Sequence, residues 1–242
     1  MLWELPEPQK MIRKQTDDGC WKYPGKSIDA ETGTNYFLLE TYRKIGVLVD
    51  MYGFDRTHPA IQKAADYLFT CQTEEGDLRG ILGNQYNPYY HGAILALLIK
   101  AGYLDEKPIR LGLDWLLNMQ QDDGGWIVPT QMVLSKKRDS SFWLGEALQP
   151  DRSLPHAHLA TGMVLRALAE HPDYRSKSET FQAGEALKSR ILRADKYNDR
   201  KAVSYWLKFQ YPFWWSNLLT ALDTLAKLGY ESDDEDIGRG LE

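Results

Sequence analysis

The segment QQDDGGW, residues 120–126, nearly repeats the segment QTDDGCW, residues 15–21, more than a hundred positions earlier in the chain. Asp side chains bond to nearby backbone N–H groups and Gly tolerates a positive φ, so Asp-Asp-Gly after a helix is typical of a turn. We therefore interpret the acidic pairs of both segments as turn residues. The segments then mark the end of a structural repeat rather than an acidic catalytic or metal site.

A longer template surrounds these segments. Residues 63–78 (KAADYLFTCQTEEGDL) and 111–126 (LGLDWLLNMQQDDGGW) align without gaps: a small residue, an aromatic residue, Leu, Gln and Gly recur at fixed positions. The template Gln stands at positions 15, 72 and 120, and a decayed fourth copy that begins at Gln182 has Ile191 in its place. The separations of 57, 48 and 71 residues fit helical hairpins stacked in an array.

A second kind of helix lies between the template copies. Four apolar segments start at Thr34, Asn87, Leu154 and Tyr211; three carry Pro near the start and three end in Gly, which are helix start and stop signals. The sequence thus predicts amphipathic outer helices alternating with apolar inner helices, and almost no strand. Residues 127–153 interrupt this rhythm, and we predict an inserted loop with a short helix there.

The template resembles the QW motif of the squalene/oxidosqualene cyclases and of the wider prenyltransferase and terpene cyclase superfamily. Residues 63–78 match every position of that motif except the last, and residues 111–126 match all but the first. The resemblance implies an all-α fold, an α/α toroid in which Gln caps a neighbouring helix and Trp stacks on the next repeat. We expect one such domain over residues 1–242, an incomplete (α/α)6-barrel-like array. Because the chain stops as another template copy begins, we expect the remainder of a longer chain or a second copy of this one to cover the open end.

The acidic and zinc motifs of the family are missing from the sequence. There is no DxDD, and the run at residues 233–236 lacks the spacing of DxDD and of DDxxD, so we interpret it as solvated charge. Cys20 and Cys71 lie in or beside the template and are interpreted as packing residues. His156 and His158 are two residues apart, and on a helix such side chains point in different directions, so they cannot easily bind one metal ion. We therefore expect no metal site and no cofactor.

Aromatic and histidine side chains at the predicted starts of the inner helices are the candidate site. In a toroid these starts share one rim of the central cavity, where the family's aromatic faces stabilise carbocations through their ring quadrupoles. The substrate-binding candidates are Tyr36, Tyr90, Trp214 and Trp215, and the candidates for moving a proton are His91, His156 and His158. The alternative is that these side chains only fill a core.

The composition of the chain reduces the number of function classes that fit it. A net charge of −5 without a basic patch argues against a nucleic-acid partner. Two cysteines, a polar start and a longest apolar run of only residues 93–99 predict a cytoplasmic protein without a transmembrane segment. The leading hypothesis is a cavity for an apolar, isoprenoid-like ligand. A non-catalytic α-solenoid scaffold and a carbohydrate-active α/α barrel remain alternatives, the last with only Asp29, Glu31 and Asp151 as scattered carboxylates. Whether the protein is an enzyme is left open.

Overall fold

The computed structural model describes residues 2–132, 139–195, 197 and 201–241, and over these ranges it is helical, with isolated β-bridges but no strand. The predicted all-α fold class is therefore confirmed. The α-helices are α1 (Pro6–Ile12), α2 (Tyr36–Tyr52), α3 (Pro59–Thr70), α4 (Pro88–Leu98), α5 (Lys107–Asn118), α6 (Ser140–Leu144), α7 (His158–Glu170), α8 (Pro172–Arg175), α9 (Ser178–Lys188), α10 (Leu218–Lys227) and α11 (Glu235–Leu241). None of the helices in these ranges is long and apolar enough to cross a membrane.

The predicted alternation of helices is present. Within the described ranges α2, α4, α7 and α10 are the inner helices, and α3, α5 and α9 are the outer ones. Every residue of α4 from His91 to Leu98 is buried, as its uniformly apolar sequence requires. Gly92 lets α4 and α7 approach closely, because a Cβ there would lie 2.7 Å from the Cα of Val164.

The template glutamines join successive hairpins. Each donates its side-chain N–H both to the Gly carbonyl that closes its own turn and to a carbonyl in the first turn of the next outer helix. The bonds are Gln15 to Gly19 and Ala60 (both 2.8 Å), Gln72 to Gly76 (2.6 Å) and Pro108 (2.8 Å), and Gln120 to Gly124 (2.6 Å) and Glu179 (2.9 Å). The side-chain amide therefore donates to a backbone carbonyl oxygen of the neighbouring helix. It does not accept from the unpaired N–H groups at the start of that helix.

The glycines of these turns have a packing role as well as a conformational one. Gly19, Gly76 and Gly124 have φ of 88°, 104° and 90°, which disfavours any side chain. A Cβ on them would also lie within 3 Å of Lys63, Leu111 and Gln182 respectively, each the fifth residue of the next outer helix. Gln182 thus takes the same place in α9 as Lys63 and Leu111 do in α3 and α5, which puts the decayed fourth copy in register with the others.

Two helix boundaries and the acidic run differ from the sequence-based expectation. The fourth inner helix begins at Leu218 rather than near Tyr211, because Asn217 and Thr220 form a capping box. The third begins at His158, which leaves His156 in the preceding loop. The acidic run is not a purely solvated tail: the Asp234 carboxylate accepts from the backbone N–H groups of Asp236 and Ile237 at the start of α11.

The predicted insert, residues 127–153, lies partly outside the described residues, which omit 133–138. Its described part contains a short 3-10 helix, Pro129–Gln131, and α6. Gln85 holds this part in place: it donates to the carbonyl oxygens of Phe142 (2.6 Å) and Glu146 (3.1 Å). Its own side-chain oxygen accepts from the N–H of Leu148 at 2.9 Å.

Candidate functional site

An aromatic pocket of about 350 Å³ opens on the inner helices. Four aromatic side chains and two polar ones line it: Tyr42, Arg43, Tyr90, Gln210, Trp214 and Trp215. The ring of Tyr42 meets those of Tyr90 and Trp214 edge to face, at centroid distances of 5.6 and 5.5 Å. Such edge-to-face contacts fix the orientations of the rings.

The tryptophans reach this pocket from a non-helical stretch, residues 208–217, which we call the crossing segment. The hydroxyl of Tyr89 donates to the carbonyl oxygen of Trp214, and Arg166 donates to the carbonyl oxygen of Phe213 at 3.2 Å. Gly46 provides room for the Trp214 indole, since a Cβ at Gly46 would lie 2.9 Å from that ring. Contacts from α2, α4 and α7 therefore position the crossing segment.

The structure brings together three of the four predicted substrate residues. Tyr90, Trp214 and Trp215 line one pocket, although the tryptophans reach it from the crossing segment and not from a helix start. Tyr36 is not among the lining residues: its ring packs against Tyr23, at 5.3 Å, and under the ammonium group of Lys26, at 4.7 Å. The sequence analysis did not predict Tyr42 as a lining residue. The pattern that could have indicated it is a Tyr four residues before Gly46 on an inner helix.

His91 joins two repeats. Its Nδ1 accepts from the backbone N–H of Leu78 (3.0 Å), so the ring proton is on Nε2, which donates to the carbonyl oxygen of Gly112 (3.1 Å). Burial lowers the pKa of His91 to about 4, so the ring is neutral at pH 7. At the equivalent places in the other repeats, Thr41 and Thr161 accept from the N–H of Trp21 and Trp126 through their hydroxyls. This geometry gives His91 a structural task.

We predict that replacing His91 by Thr leaves the protein more stable than replacing it by Val. The two side chains have nearly the same shape, but only Thr retains an acceptor for the buried N–H of Leu78. An unsatisfied buried donor costs about 1–3 kcal/mol, so the variants should differ by about that amount in urea denaturation at pH 7. Equal stability of the two variants would show that the Leu78 bond is not what His91 contributes.

His156 and His158 bind different carboxylates. Nδ1 of His156 lies 2.9 Å from Oδ2 of Asp123, and the backbone N–H of His156 donates to the same oxygen at 2.8 Å. His156 is buried, and its Nε2 has no hydrogen-bond partner among the described residues. Asp123 is therefore more than a turn residue. Burial opposes ionisation of Asp123, but the bonds from His156 outweigh it and the pKa of Asp123 is lowered.

His158 forms the second pair, with Asp195. Their Nδ1 and Oδ2 atoms are 3.1 Å apart, and both side chains are almost fully buried. The contact does not have hydrogen-bond geometry, and Nδ1 of His158 has no hydrogen-bond partner among the described residues. The ring of His158 also stacks on the buried ring of Trp206, with centroids 4.4 Å apart. Burial lowers the pKa of His158, although Asp195 opposes that shift. Among the described residues there is no group of three or more His, Cys, Asp or Glu side chains that could hold a metal ion.

The alternating inner and outer helices define an α/α toroid of the squalene cyclase type. Residues 39–138 match the family model of the squalene-hopene cyclase C-terminal domain. The squalene–hopene cyclase of Zymomonas mobilis is 28% identical over 130 residues, covering 48% of this chain and 19% of that protein. The probable squalene–hopene cyclase of Sinorhizobium fredii is 29% identical over 133 residues, covering 54% and 20%. These matches support the assignment of the chain to the prenyltransferase/squalene cyclase superfamily. The chain spans about a fifth of the length of these relatives.

Proposed function

We propose that this chain is a terpene cyclase-like α/α domain, built from QW repeats over residues 1–242, that binds an apolar, isoprenoid-like molecule. The observation that carries the proposal is the convergence of Tyr42, Tyr90, Trp214 and Trp215 around one pocket. The relatives are named as cyclases of squalene, an isoprenoid hydrocarbon, which supports the same ligand class.

The chemistry of the lining agrees with this ligand. Ring faces bury apolar surface and orient it, and a few polar groups at the edge set the direction of binding. The volume of about 350 Å³ lies near the lower end of the roughly 300–1,000 Å³ of small-molecule sites. A short isoprenoid, or one part of a longer one, fits this space better than a whole triterpene.

None of the three histidine candidates for moving a proton is among the described residues that line the pocket. If the domain also carries out a reaction, His156 has the most suitable ring contacts of the three: Asp123 holds its Nδ1, and its buried Nε2 has no hydrogen-bond partner among the described residues. His91 uses both ring nitrogens for repeat contacts, and His158 is fixed between Asp195 and Trp206. Incubation with squalene and with prenyl diphosphates, followed by mass spectrometry of the extracts, distinguishes a cyclase from a binding domain.

Binding is tested at Trp214. We expect Trp214→Ala to weaken the binding of geraniol about thirtyfold in Kd, because a buried aromatic anchor contributes about 2 kcal/mol or more. The measurement is isothermal titration calorimetry with the purified chain. The control is Trp143→Ala, which removes an indole from α6, outside the pocket lining. If wild type binds no isoprenoid, or if both variants bind equally well, the proposed site is wrong.

A further inference from the structure

The charge at the aromatic pocket narrows the ligand class. Among the described residues that line the pocket, Arg43 is the one ionisable cation, and none carries a carboxylate. The other polar groups of these residues are the tyrosine hydroxyls, the indole N–H groups and Gln210, whose amide can donate. A cage that selects a cation by its ring faces is not expected to place a guanidinium group beside them.

Arg43 is available to a ligand. Its side chain is 44% exposed, and its nearest carboxylate oxygen, on Glu40, is 3.8 Å away. Glu40 is held more closely by Lys44, at 2.8 Å, so its charge is already balanced. The guanidinium group also lies over the ring of Tyr23 at 5.7 Å, which holds the side chain along the helix surface.

A second arginine, Arg166, acts on Tyr42 as well. Burial raises the pKa of the Tyr42 hydroxyl, while Arg166 and Arg43 both act to lower it. Asp50 acts on Tyr42 in the opposite direction, but it is paired with Lys100 at 2.5 Å. The Tyr42 hydroxyl therefore stays neutral at pH 7, and Tyr42 lies buried in the wall of the pocket.

Resting on the proposed function, we infer that the natural ligand has an apolar body with a single anionic head group, a carboxylate or a phosphate monoester. The body lies against the rings of Tyr90, Trp214 and Trp215. The head group lies at Arg43, with Gln210 as a second donor. Arginine suits both head groups because its planar fork binds two oxygens of either anion.

The test compares four probes that share one isoprenoid chain: geraniol, geranic acid, geranyl monophosphate and geranyltrimethylammonium. At pH 7 we expect the tighter of the two anions to bind about tenfold better than geraniol, since a charge-assisted bond at a half-exposed site is worth about that factor. Added salt should weaken the anion and leave geraniol unaffected. The order of the two anions decides between a carboxylate and a phosphate head group.

Arg43→Gln should reduce the ratio of the affinity for the anion to the affinity for geraniol to about one, because only the charge-assisted bond is lost. Arg43→Lys should retain part of it. The matched control is Arg13→Gln, an exposed arginine at the end of α1, which should leave the preference unchanged. Equal binding of anions and geraniol, or tightest binding of the ammonium probe, would overturn this inference while leaving the proposed function intact. If none of the four probes binds, the proposed function itself fails.

Discussion

Replacing Trp126 by Ala is expected to lower the free energy of unfolding by about 4 kcal/mol, the usual cost of deleting a large buried aromatic side chain. The indole is completely buried. Its Nε1–H donates to the carbonyl oxygen of Leu116 at 2.7 Å, and its backbone N–H donates to Thr161 on the next inner helix. The side chain thus ties an outer helix to the turn that follows it, and the measurement is urea denaturation followed by circular dichroism.

Trp126→Phe separates the contribution of the buried ring from that of the hydrogen bond to Leu116. It keeps most of the buried ring and loses the donor to Leu116, so we expect a loss of about 1–2 kcal/mol. Trp126→Ala should therefore be clearly the worse of the two. A loss below about 1 kcal/mol for Trp126→Ala would mean that the repeat does not depend on its terminal indole.

The second large effect is expected at His158. His158→Ala should cost about 3 kcal/mol, since it removes a buried ring that stacks on Trp206 and lies against Asp195, and leaves a cavity in its place. Asp195 and Trp206 both belong to the long stretch between α9 and α10. Thermal unfolding should show the loss, and amide hydrogen exchange should show it most strongly in the described residues 201–207.

The His158→Asn variant and the pH dependence of stability test why His158→Ala is less stable. Asn keeps a polar side chain beside Asp195 but not the stacked ring, so the stability of this variant should lie between those of wild type and His158→Ala. Because burial lowers the pKa of His158 below 6.5, the unfolded chain binds the extra proton and stability is lost as the pH falls through that value. The alanine variant lacks this loss, so its deficit relative to wild type should shrink at acidic pH. A deficit that grows with acid would contradict a neutral His158.

Much of the fold was predictable because its determinants are local. The template Gln and Gly residues mark turns of fixed geometry, and the periods of 3.6 residues mark helices. The start of the fourth inner helix was predicted near Tyr211 for a local reason too, because a Pro near that point is typical of a helix start. The helix in fact starts at the capping box of Asn217 and Thr220. The single domain over 1–242 and the insert at 127–153 stay predictions.

The candidate site was only partly predictable. The sequence singled out Tyr90, Trp214 and Trp215 as aromatic residues near helix starts, and the structure places them around one pocket. Tyr42 joins them only because Gly46 allows the Trp214 indole to lie on α2. Tyr36 fulfilled the same sequence criterion, yet it packs with Tyr23 outside the pocket lining.

The sequence by itself determined the repeat: where each outer helix ends, which Gln and Gly close its turn, and that inner and outer helices alternate. Those features depend on residues within one hairpin, where spacing along the chain fixes the geometry. Only the tertiary structure decided which acid lies against each histidine, Asp123 for His156 and Asp195 for His158. It also turned the second Asp of QQDDGGW from a turn residue into a partner of His156. Such pairs form between distant segments, and their identity depends on how the loops dock on the helices.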